Sequence, residues 1–257
     1  MGGARGPLPE RYRGPAHVSV PASCRFPRVA ALLVVVVAVL VGCGGAVGGG
    51  DGTAEVWITR DAGTKVLYEG DVPAGLTVMQ ALDRVADIDT RYGGRFVQAI
   101  DGVEGSLSRG WDWFYFVNGV AADRSAVEYR LRAGEIAWWD YRRWRDAEET
   151  QIVVGAFPEP FLHGYDGERR GVVVTFDRPA QRAGARAIAR LLHGHVVARG
   201  RVTCCPNTFH LAARSACFEA EADSAHGPYR FVFAGDAEAL VRDPHRYRFR
   251  YAGQPCD

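Results

Sequence analysis

The sequence predicts an α+β protein with two folded parts. The first, residues 53–146, should wrap a sheet around one helix, and the second, residues 150–257, should be a small α/β or α+β domain. Three observations support this prediction: strand-like runs and one capped helix alternate in the first part, further strand-like runs and four cysteines follow in the second, and a glycine-rich stretch precedes both.

The N-terminal region carries the pattern of an export signal. Residues 1–28 are rich in Gly, Pro and Arg, and Val29 to Gly42 form an uncharged apolar run. That run would be about 21 Å long as a helix, which is shorter than the roughly 30 Å hydrocarbon core of a bilayer. This length suits a signal peptide, and the run ends in Leu40-Val41-Gly42-Cys43, which resembles a bacterial lipobox.

The lipobox resemblance implies that residues 1–43 are a lipoprotein signal and that Cys43 is the lipidation site, where the thiol is diacylated. The alternative is an uncleaved membrane anchor. Residues 44–52 are mostly glycine and would form an unstructured tether to the membrane. We therefore expect an extracytoplasmic protein anchored to the cell membrane, in a compartment where disulfides persist.

The first domain begins with a hairpin and a helix. Glu55–Thr59 and Lys65–Glu69 are predicted strands, and Asp61–Thr64 is the turn between them. Thr77 is a suitable N-cap, and Gln80 three residues later completes a capping box. An apolar stripe at helical spacing follows, formed by Val78, Ala81, Leu82 and Val85.

Further strands complete this domain. Phe96–Ile100 is a predicted strand, and Trp111–Val117 is a second that turns at Asn118-Gly119. A short strand at 128–131 and a closing strand at Glu135–Tyr141 follow. The order of two strands, one helix and several strands is that of a β-grasp, in which a sheet wraps around one helix.

Two aromatic runs make the candidate ligand surface. Five of the six tryptophans lie between Trp111 and Trp144, and bulky residues occupy both alternations of the strand that begins at Trp111. One face can be core, while the other must meet a protein layer, a partner or a ligand. The candidate ligand-binding residues are Trp111, Trp113, Tyr115, Trp138, Trp139 and Tyr141. Core packing is the competing interpretation, and Asp112 and Asp140 are predicted to be solvated strand-end residues.

Three segments together resemble a known domain family. They are the helix entry Gly75–Val78, the hairpin Trp113–Gly119 and the run Tyr129–Trp138. Together they are similar to the domain of many bacterial lipoproteins that also forms the C-terminal domain of transcobalamin and intrinsic factor. The resemblance implies a β-grasp-like fold and, because that domain closes over a corrin ring in the vitamin B12 carriers, a cobalamin-type ligand. The large helical domain of those carriers has no counterpart here.

The second domain resembles no family known to us. Ile152–Gly155 and Gly171–Phe176 are predicted strands, and the proline-containing segment 157–167 is a predicted rigid loop. Residues 180–193 predict a helix, and Asp236–Val241 predict a short capped helix. Two further strands are predicted from alternating aromatic residues, over Tyr229–Phe233 and over Arg246–Tyr251, the latter with arginines on its wet face.

The cysteines of the second domain are disulfide candidates. They are Cys204, Cys205, Cys217 and Cys256. Four cysteines allow three connectivities, and we expect Cys204 and Cys205 to pair with Cys217 and Cys256 because adjacent cysteines rarely pair with each other. A zinc site with His210 is the rival, but the paired Cys-x-x-Cys spacing of such sites is absent from the sequence.

Composition and motifs bear on several function classes. The net charge of +1 gives no electrostatic reason to expect nucleic acid as a partner. The sequence contains neither a glycine-rich phosphate loop nor a nucleophile elbow, so no catalytic residues, resident cofactor or metal is predicted. An acid/base group made of Glu159, His163 and Asp166 remains the enzymatic alternative.

These observations predict a non-catalytic, membrane-anchored binding module. Its ligand would be a flat or amphipathic small molecule, with a corrinoid as the named candidate. The alternative is a structural or protein-interaction lipoprotein whose partner is another envelope protein. The oligomeric state, the ligand and the disulfide pairing stay open at the level of the sequence.

Overall fold

The computed structural model describes residues 51–145, 150–201 and 205–252. The predicted signal peptide with Cys43, nearly all of the predicted tether, and Cys204 and Cys256 lie outside these residues. Within the described ranges, no helix is long and apolar enough to cross a membrane. The fold is α+β, as predicted, with three sheets and few helices.

The largest sheet of the first part has five strands, in the spatial order β2-β1-β8-β6-β7. Its strands are β1 (Thr53–Arg60), β2 (Lys65–Pro73), β6 (Trp111–Val117), β7 (Val120–Ala121) and β8 (Ile136–Arg143). The central pair, β1 and β8, is parallel, and the other pairs are antiparallel. This places the predicted first hairpin and both aromatic runs in one sheet.

A helix and a small sheet pack against one face of the five-stranded sheet. Helix α1 (Val78–Asp83) begins at Thr77, and both hydrogen bonds of the predicted capping box with Gln80 are formed. The small sheet consists of β3 (Ile88–Arg91), β4 (Phe96–Ile100) and β5 (Val103–Glu104), with β4 in the middle.

The second part is built on a sheet of the order β10-β9-β11-β13-β12. Its strands are β9 (Val172–Phe176), β10 (His195–Val196), β11 (Asn207–Leu211), β12 (Cys217–Ala222) and β13 (Tyr229–Ala234). Only β12 pairs in antiparallel fashion. The helices of this part are α2 (Arg182–Leu191) and α3 (Ala237–Arg242), which begins at the N-cap Asp236.

The core is continuous between the two parts. The described residues of both belong to one compact unit. Phe157 and Phe161, from the predicted rigid loop, pack against Phe209 and Phe231 of the second sheet. Asn118, fully buried in the turn between β6 and β7, donates from Nδ2 to the carbonyl of Gly164 over 2.7 Å. The hairpin therefore ties the loop to the first sheet, a role beyond the turn geometry expected of Asn118.

Three predicted strands were wrong. Arg246–Tyr251 forms consecutive turns, because Phe249 adopts a left-handed φ of 64° and the segment lies across the face of the first sheet. Within the predicted strand Ile152–Gly155, the chain instead enters a 3-10 turn at Val154–Ala156, and Val153 and Ala156 belong to the same apolar cluster as Trp57 and Trp138. The segment 128–131 contributes only an isolated bridge between Thr77 and Arg130. In all three segments, apolar side chains are buried or half-buried against other layers without forming strand ladders.

The described cysteines differ from the expectation. Cys205 is free and exposed, so the disulfide expected of it is not formed in the structure. Cys217 is buried and does not carry a free thiol. Because Cys204 and Cys256 lie outside the described residues, their pairing stays a prediction.

Candidate functional site

The candidate site is a pocket along the open edge of β6. Between a bridge from Trp111 to Ser106 at one end and the pairing of Phe116 with Ala121 at the other, no strand covers this edge of β6 within the described residues. A pocket of about 440 Å³, partly open to solvent, fills the gap between this edge and β4. Its size lies within the usual range of small-molecule sites.

Aromatic residues make the pocket apolar. Trp113, Tyr115 and Trp139 come from adjacent strands, and they are joined by Phe96 of β4 and Phe114 of β6. The rings of Tyr115 and Trp139 lie 5.0 Å apart between centroids, at an interplanar angle of 30°. Flat rings arranged in this way favour a flat apolar ligand, because offset stacking adds to the free energy of burial.

Hydrogen bonds hold two of these rings in place. The Trp113 indole donates from Nε1 to the carbonyl of Val103 over 2.8 Å. The Tyr115 hydroxyl donates to the carbonyl of Arg124 over 2.6 Å, and burial raises the pKa of this hydroxyl far above its usual value. Both rings therefore have one satisfied polar end and an apolar body, which makes their position at the pocket rigid.

Trp139 differs from these two residues. Its side chain is almost completely buried, with 3% exposed, yet no described group accepts a hydrogen bond from its Nε1. Buried donors are satisfied in the great majority of cases, and an unsatisfied one costs about 1–3 kcal/mol. This orphaned donor belongs to a residue of the pocket wall.

The polar rim carries charges of both signs. Burial raises the pKa of Asp112 above its usual value, against hydrogen bonds from the Trp113 backbone and from Trp144. Burial opposes the ionisation of Asp123 as well, but hydrogen bonds from Arg124 and Tyr165 hold its pKa below the usual value.

Two arginines complete the rim. Arg95 forms an exposed ion pair with Glu128. Arg142 is buried, with its guanidinium 4.8 Å from the ring centroid of Phe116 and 4.9 Å from that of Tyr251. Opposite charges are thus interspersed around the pocket, and neither sign dominates it.

The structure brings together three of the six predicted ligand residues. Trp113, Tyr115 and Trp139 line the pocket, whereas Trp111, Trp138 and Tyr141 do not. Trp111 stacks on Tyr141 with 5.4 Å between ring centroids, on the same side of the sheet as α1. Alternation places Trp113, Tyr115 and Trp139 on this side as well, so the face of the sheet does not separate the two sets. Trp111 and Tyr141 stay out of the pocket because they pack against each other near the Trp111 end of β6.

Trp138 lies on the opposite face, which the chain itself closes. Its ring is fully buried and meets Phe249 and Tyr251 of the C-terminal segment, defined here as residues 246–252. Its Nε1 donates to Oγ1 of Thr59 over 2.7 Å. The second face of the aromatic strands is therefore an intramolecular interface.

Asp140 is not the solvated residue that the sequence suggested. It is completely buried on this second face. Its Oδ1 accepts from the Thr59 hydroxyl over 2.6 Å and from the Gly63 backbone over 3.2 Å. Its Oδ2 accepts from the Ala62 backbone over 3.2 Å and from the Tyr251 hydroxyl over 2.8 Å. Asp140 thus joins β8, the first hairpin turn and the C-terminal segment.

Several pocket residues were missed from the sequence. Phe96, Asp123 and Gln151 all line the pocket, although they lie far apart along the chain. Phe96 carried a usable signal, because a large apolar side chain at the first position of a predicted strand needs other apolar groups to cover it. Asp123 and Gln151 lie in connecting segments that carry no periodic pattern, so their positions depend on tertiary packing alone.

Of the three residues of the enzymatic alternative, Glu159 and His163 are in contact, whereas Asp166 pairs with arginines. Nδ1 of His163 lies 2.6 Å from Oε1 of the buried Glu159, and this hydrogen bond raises the pKa of His163. Asp166 instead pairs with Arg124 at 2.8 Å and with Arg132 at 3.0 Å. None of the three residues lines the pocket along β6. Within the described ranges, no cluster of three or more His, Cys, Asp or Glu side chains is arranged to hold a metal ion.

One segment of the chain matches a known protein family. Residues 75–143 match the family described as "Domain of unknown function (DUF4430)". This range contains α1, β6 and β8, and it includes the residues on which the transcobalamin-type resemblance rests. No curated protein matches the chain.

Two solved structures are similar over 36% of this chain. One is a protein of Ruminococcus gnavus ATCC 29149 described as a candidate metal-binding protein, with 17% identity, a TM-score of 0.30 and 98% of its length covered. The other is haptocorrin in complex with Cbi, with 14% identity, a TM-score of 0.30 and 25% of its length covered. At this level of likeness, what those proteins bind says nothing about the ligand of this chain.

Proposed function

We propose that the protein is a non-catalytic binding module, anchored to the outside of the cell membrane through Cys43, that takes a flat or amphipathic small molecule into the pocket along β6. The single observation that carries this proposal is the pocket itself. Three of the six aromatic residues predicted to contact a ligand, Trp113, Tyr115 and Trp139, line one apolar pocket of about 440 Å³. Such a pocket with a few polar groups at its rim is the usual form of a small-molecule site.

The size of the pocket limits the ligand. A volume of 440 Å³ accommodates a molecule of a few fused rings, or one edge of a larger flat ring system whose remainder stays in solvent. A corrinoid, the named candidate, would enter by one edge. The interspersed charges of the rim suit the amide side chains of a corrin better than a strongly charged ligand.

The corrinoid form of the proposal is tested by spectroscopy. The purified protein in detergent is titrated with cobalamin while the visible spectrum of the corrin and the tryptophan fluorescence are recorded. We expect saturable changes in both signals. If neither signal changes up to several hundred micromolar cobalamin, the corrinoid is excluded, and the smaller flat probe coumarin is titrated in the same way.

A second candidate function is an envelope-protein interaction module. It is favoured by an exposed apolar patch around a neighbouring concavity of about 590 Å³. This patch consists of Tyr92, Phe96 and Leu107, of which Tyr92 is 78% exposed and Leu107 is 77% exposed. Exposed large apolar side chains grouped in this way mark interaction surfaces.

In vivo cross-linking separates the two functions. If a protein partner docks at this patch, Leu107→Ser should abolish the cross-linked species while Ala122→Trp, which fills the pocket along β6, should leave it intact. If the pocket is the functional site, Ala122→Trp should abolish small-molecule binding and Leu107→Ser should leave it intact.

A further inference from the structure

The open edge of β6 carries backbone groups that point away from the sheet. Trp111 exchanges two backbone hydrogen bonds with Ser106, so its N–H and C=O are directed away from β8. The backbone groups of a strand return to the same side at every second residue, so those of Trp113 and Tyr115 have the same direction. Both residues lie in the part of β6 that no strand covers within the described residues.

Two of these four groups of Trp113 and Tyr115 have no hydrogen-bond partner. The Trp113 N–H donates to Oδ1 of Asp112 over 2.9 Å, and the Tyr115 C=O accepts from the Ala122 N–H over 3.2 Å. No group of the described residues donates to the Trp113 C=O or accepts from the Tyr115 N–H. One free acceptor and one free donor therefore follow each other along this edge.

Both free groups are directed into the pocket along β6. The four consecutive residues from Asp112 to Tyr115 all line it. Successive side chains of a strand point to opposite faces of its sheet, so four in a row border one pocket only where that pocket lies at the edge of the strand. A ligand in the pocket therefore meets the backbone of β6 as well as the aromatic rings.

The two edges of this sheet differ in their protection. The edge strand β2 carries charged residues and a proline, which are Lys65, Glu69, Asp71 and Pro73. Residues of these kinds on an edge strand prevent its pairing with another chain. In β6, Asp112 is the only charged residue and there is no proline. The edge at β6 therefore lacks most of the protection that the same sheet has at β2.

An extended peptide carries the groups that complete this edge. In a parallel pairing, a peptide residue opposite Phe114 donates to the Trp113 C=O and accepts from the Tyr115 N–H, and in an antiparallel pairing its two neighbours make the same bonds. The full charges around the pocket are of both signs, so the partial charges of a neutral backbone complement this edge better than a net charge does. Residues 112–115 span about 13 Å, which corresponds to a peptide of three or four residues.

We propose that the pocket binds a short extended peptide, which adds a strand to β6 through the Trp113 C=O and the Tyr115 N–H. This inference rests on the proposed function and names its amphipathic ligand as a peptide. The peptide residues on either side of the one opposite Phe114 point toward the side of the sheet that carries Trp113, Tyr115 and Trp139. Apolar side chains at those positions meet the aromatic wall, while the backbone bonds supply affinity that does not depend on the sequence of the peptide.

Paired isotope labels isolate the two backbone groups in solution. Phe-Tyr occurs once in the sequence, at residues 114–115, and Trp-Phe occurs once, at residues 113–114. Labelling the first member of each pair with ¹³C at its carbonyl and the second with ¹⁵N therefore gives a separate NMR signal for the Tyr115 amide and for the Trp113 carbonyl. The full chain is kept in one detergent throughout.

The probe is the neutral peptide acetyl-leucyl-seryl-leucinamide. Its matched control is the same peptide methylated on the backbone nitrogens of all three residues, which cannot donate to the Trp113 C=O. Binding of the intact peptide should move the Tyr115 amide proton and the Trp113 carbonyl carbon downfield until both signals saturate. Loss of the donor should weaken the affinity of the methylated peptide by about threefold to tenfold. The pocket-filling variant Ala122→Trp should lose both the binding and the shifts.

The outcomes separate this inference from the proposed function. The inference is overturned if the intact peptide does not bind, if it binds Ala122→Trp equally well, or if both peptides bind alike and leave the Tyr115 and Trp113 signals unmoved. In each case the proposed function still stands if coumarin or cobalamin binds the unmodified protein and not Ala122→Trp. If the peptides, coumarin and cobalamin all fail to bind, the inference and the proposed function fall together.

Discussion

Replacing Asp140 by Asn should destabilise the protein strongly although the side chain keeps its shape. The Asp140 carboxylate accepts four hydrogen bonds, two on each oxygen, from Thr59, Ala62, Gly63 and Tyr251. An amide accepts on one oxygen only, so in either orientation of the Asn side chain two donors face an NH₂ group. One of those two donors is a backbone N–H, which is left without an acceptor at a cost of about 1–3 kcal/mol. The other is a hydroxyl, which can turn to accept from the NH₂ and loses only its charge-assisted bond, so the expected loss in the free energy of unfolding is roughly 2–4 kcal/mol.

The assay is urea unfolding followed by tryptophan fluorescence, because Trp57 and Trp138 are buried next to this network. For a folded part of about 200 residues, the expected loss corresponds to a decrease in Tm of roughly 5–15 °C. Asp89→Asn is the matched control, since Asp89 is exposed on β3, and it should change the stability by less than about 0.5 kcal/mol.

A small effect of Asp140→Asn would contradict the role of this network. If the variant stays within about 0.5 kcal/mol of the unmodified protein, the hydrogen bonds of Asp140 do not stabilise the first hairpin turn and the C-terminal segment on the sheet. The second aromatic face would then be more open to other contacts than the structure indicates.

Three other substitutions or reactions test the pKa, the stability and the thiol reactivity of named residues. Glu159→Gln should return the pKa of His163 toward 6.5, measured by NMR titration of the imidazole, because the hydrogen bond that the imidazole donates to the Glu159 carboxylate is the main cause of its raised pKa. The pair stabilises the fold at low pH, and this contribution disappears as the pH rises through the raised pKa, so an unchanged titration in the variant would be evidence against the pair. Phe161→Ala should lower the unfolding free energy by about 3–5 kcal/mol, since the ring is 1% exposed against Phe209 and Phe231, and a loss below about 1 kcal/mol would contradict a shared core. In the native protein, Cys205 should react with a thiol reagent and Cys217 should not, because only Cys205 of these two carries a free thiol. Mass spectrometry of the labelled peptides measures both reactions. Labelling of Cys217 before unfolding would contradict this assignment.

Local signals in the sequence predicted the first sheet well. The capping box of Thr77 and Gln80, the first hairpin and the two aromatic strands are all present, because each depends on residues close together in the chain. The alternation of bulky residues on β6 also indicated correctly that both faces are covered. It did not indicate which residues cover the second face, because Phe249 and Tyr251 lie more than a hundred positions away in the chain.

The failures have the same physical origin. Arg246–Tyr251 alternates like a strand, but its aromatic residues fill gaps on the face of another sheet and its arginines reach partners there, as Arg248 does with Glu55 at 2.7 Å. The strands β11 and β12 were not predicted. The pairing of β11 with β9 and β13 is parallel, so no local turn marks it in the sequence, whereas β12 pairs in antiparallel fashion with β13, the next strand of the chain. The sequence did not predict the pocket itself, although half of the candidate aromatic residues line it.

The pocket along β6 is tested most directly by comparing ligand affinity between the unmodified protein and the pocket-filling variant Ala122→Trp. Isothermal titration with coumarin and with cobalamin should give saturable binding to the unmodified protein for at least one of them. The affinity should fall at least tenfold in Ala122→Trp while the unfolding free energy stays unchanged within about 0.5 kcal/mol. Equal affinities for the two proteins would place the ligand elsewhere and contradict the assignment of function to the pocket along β6.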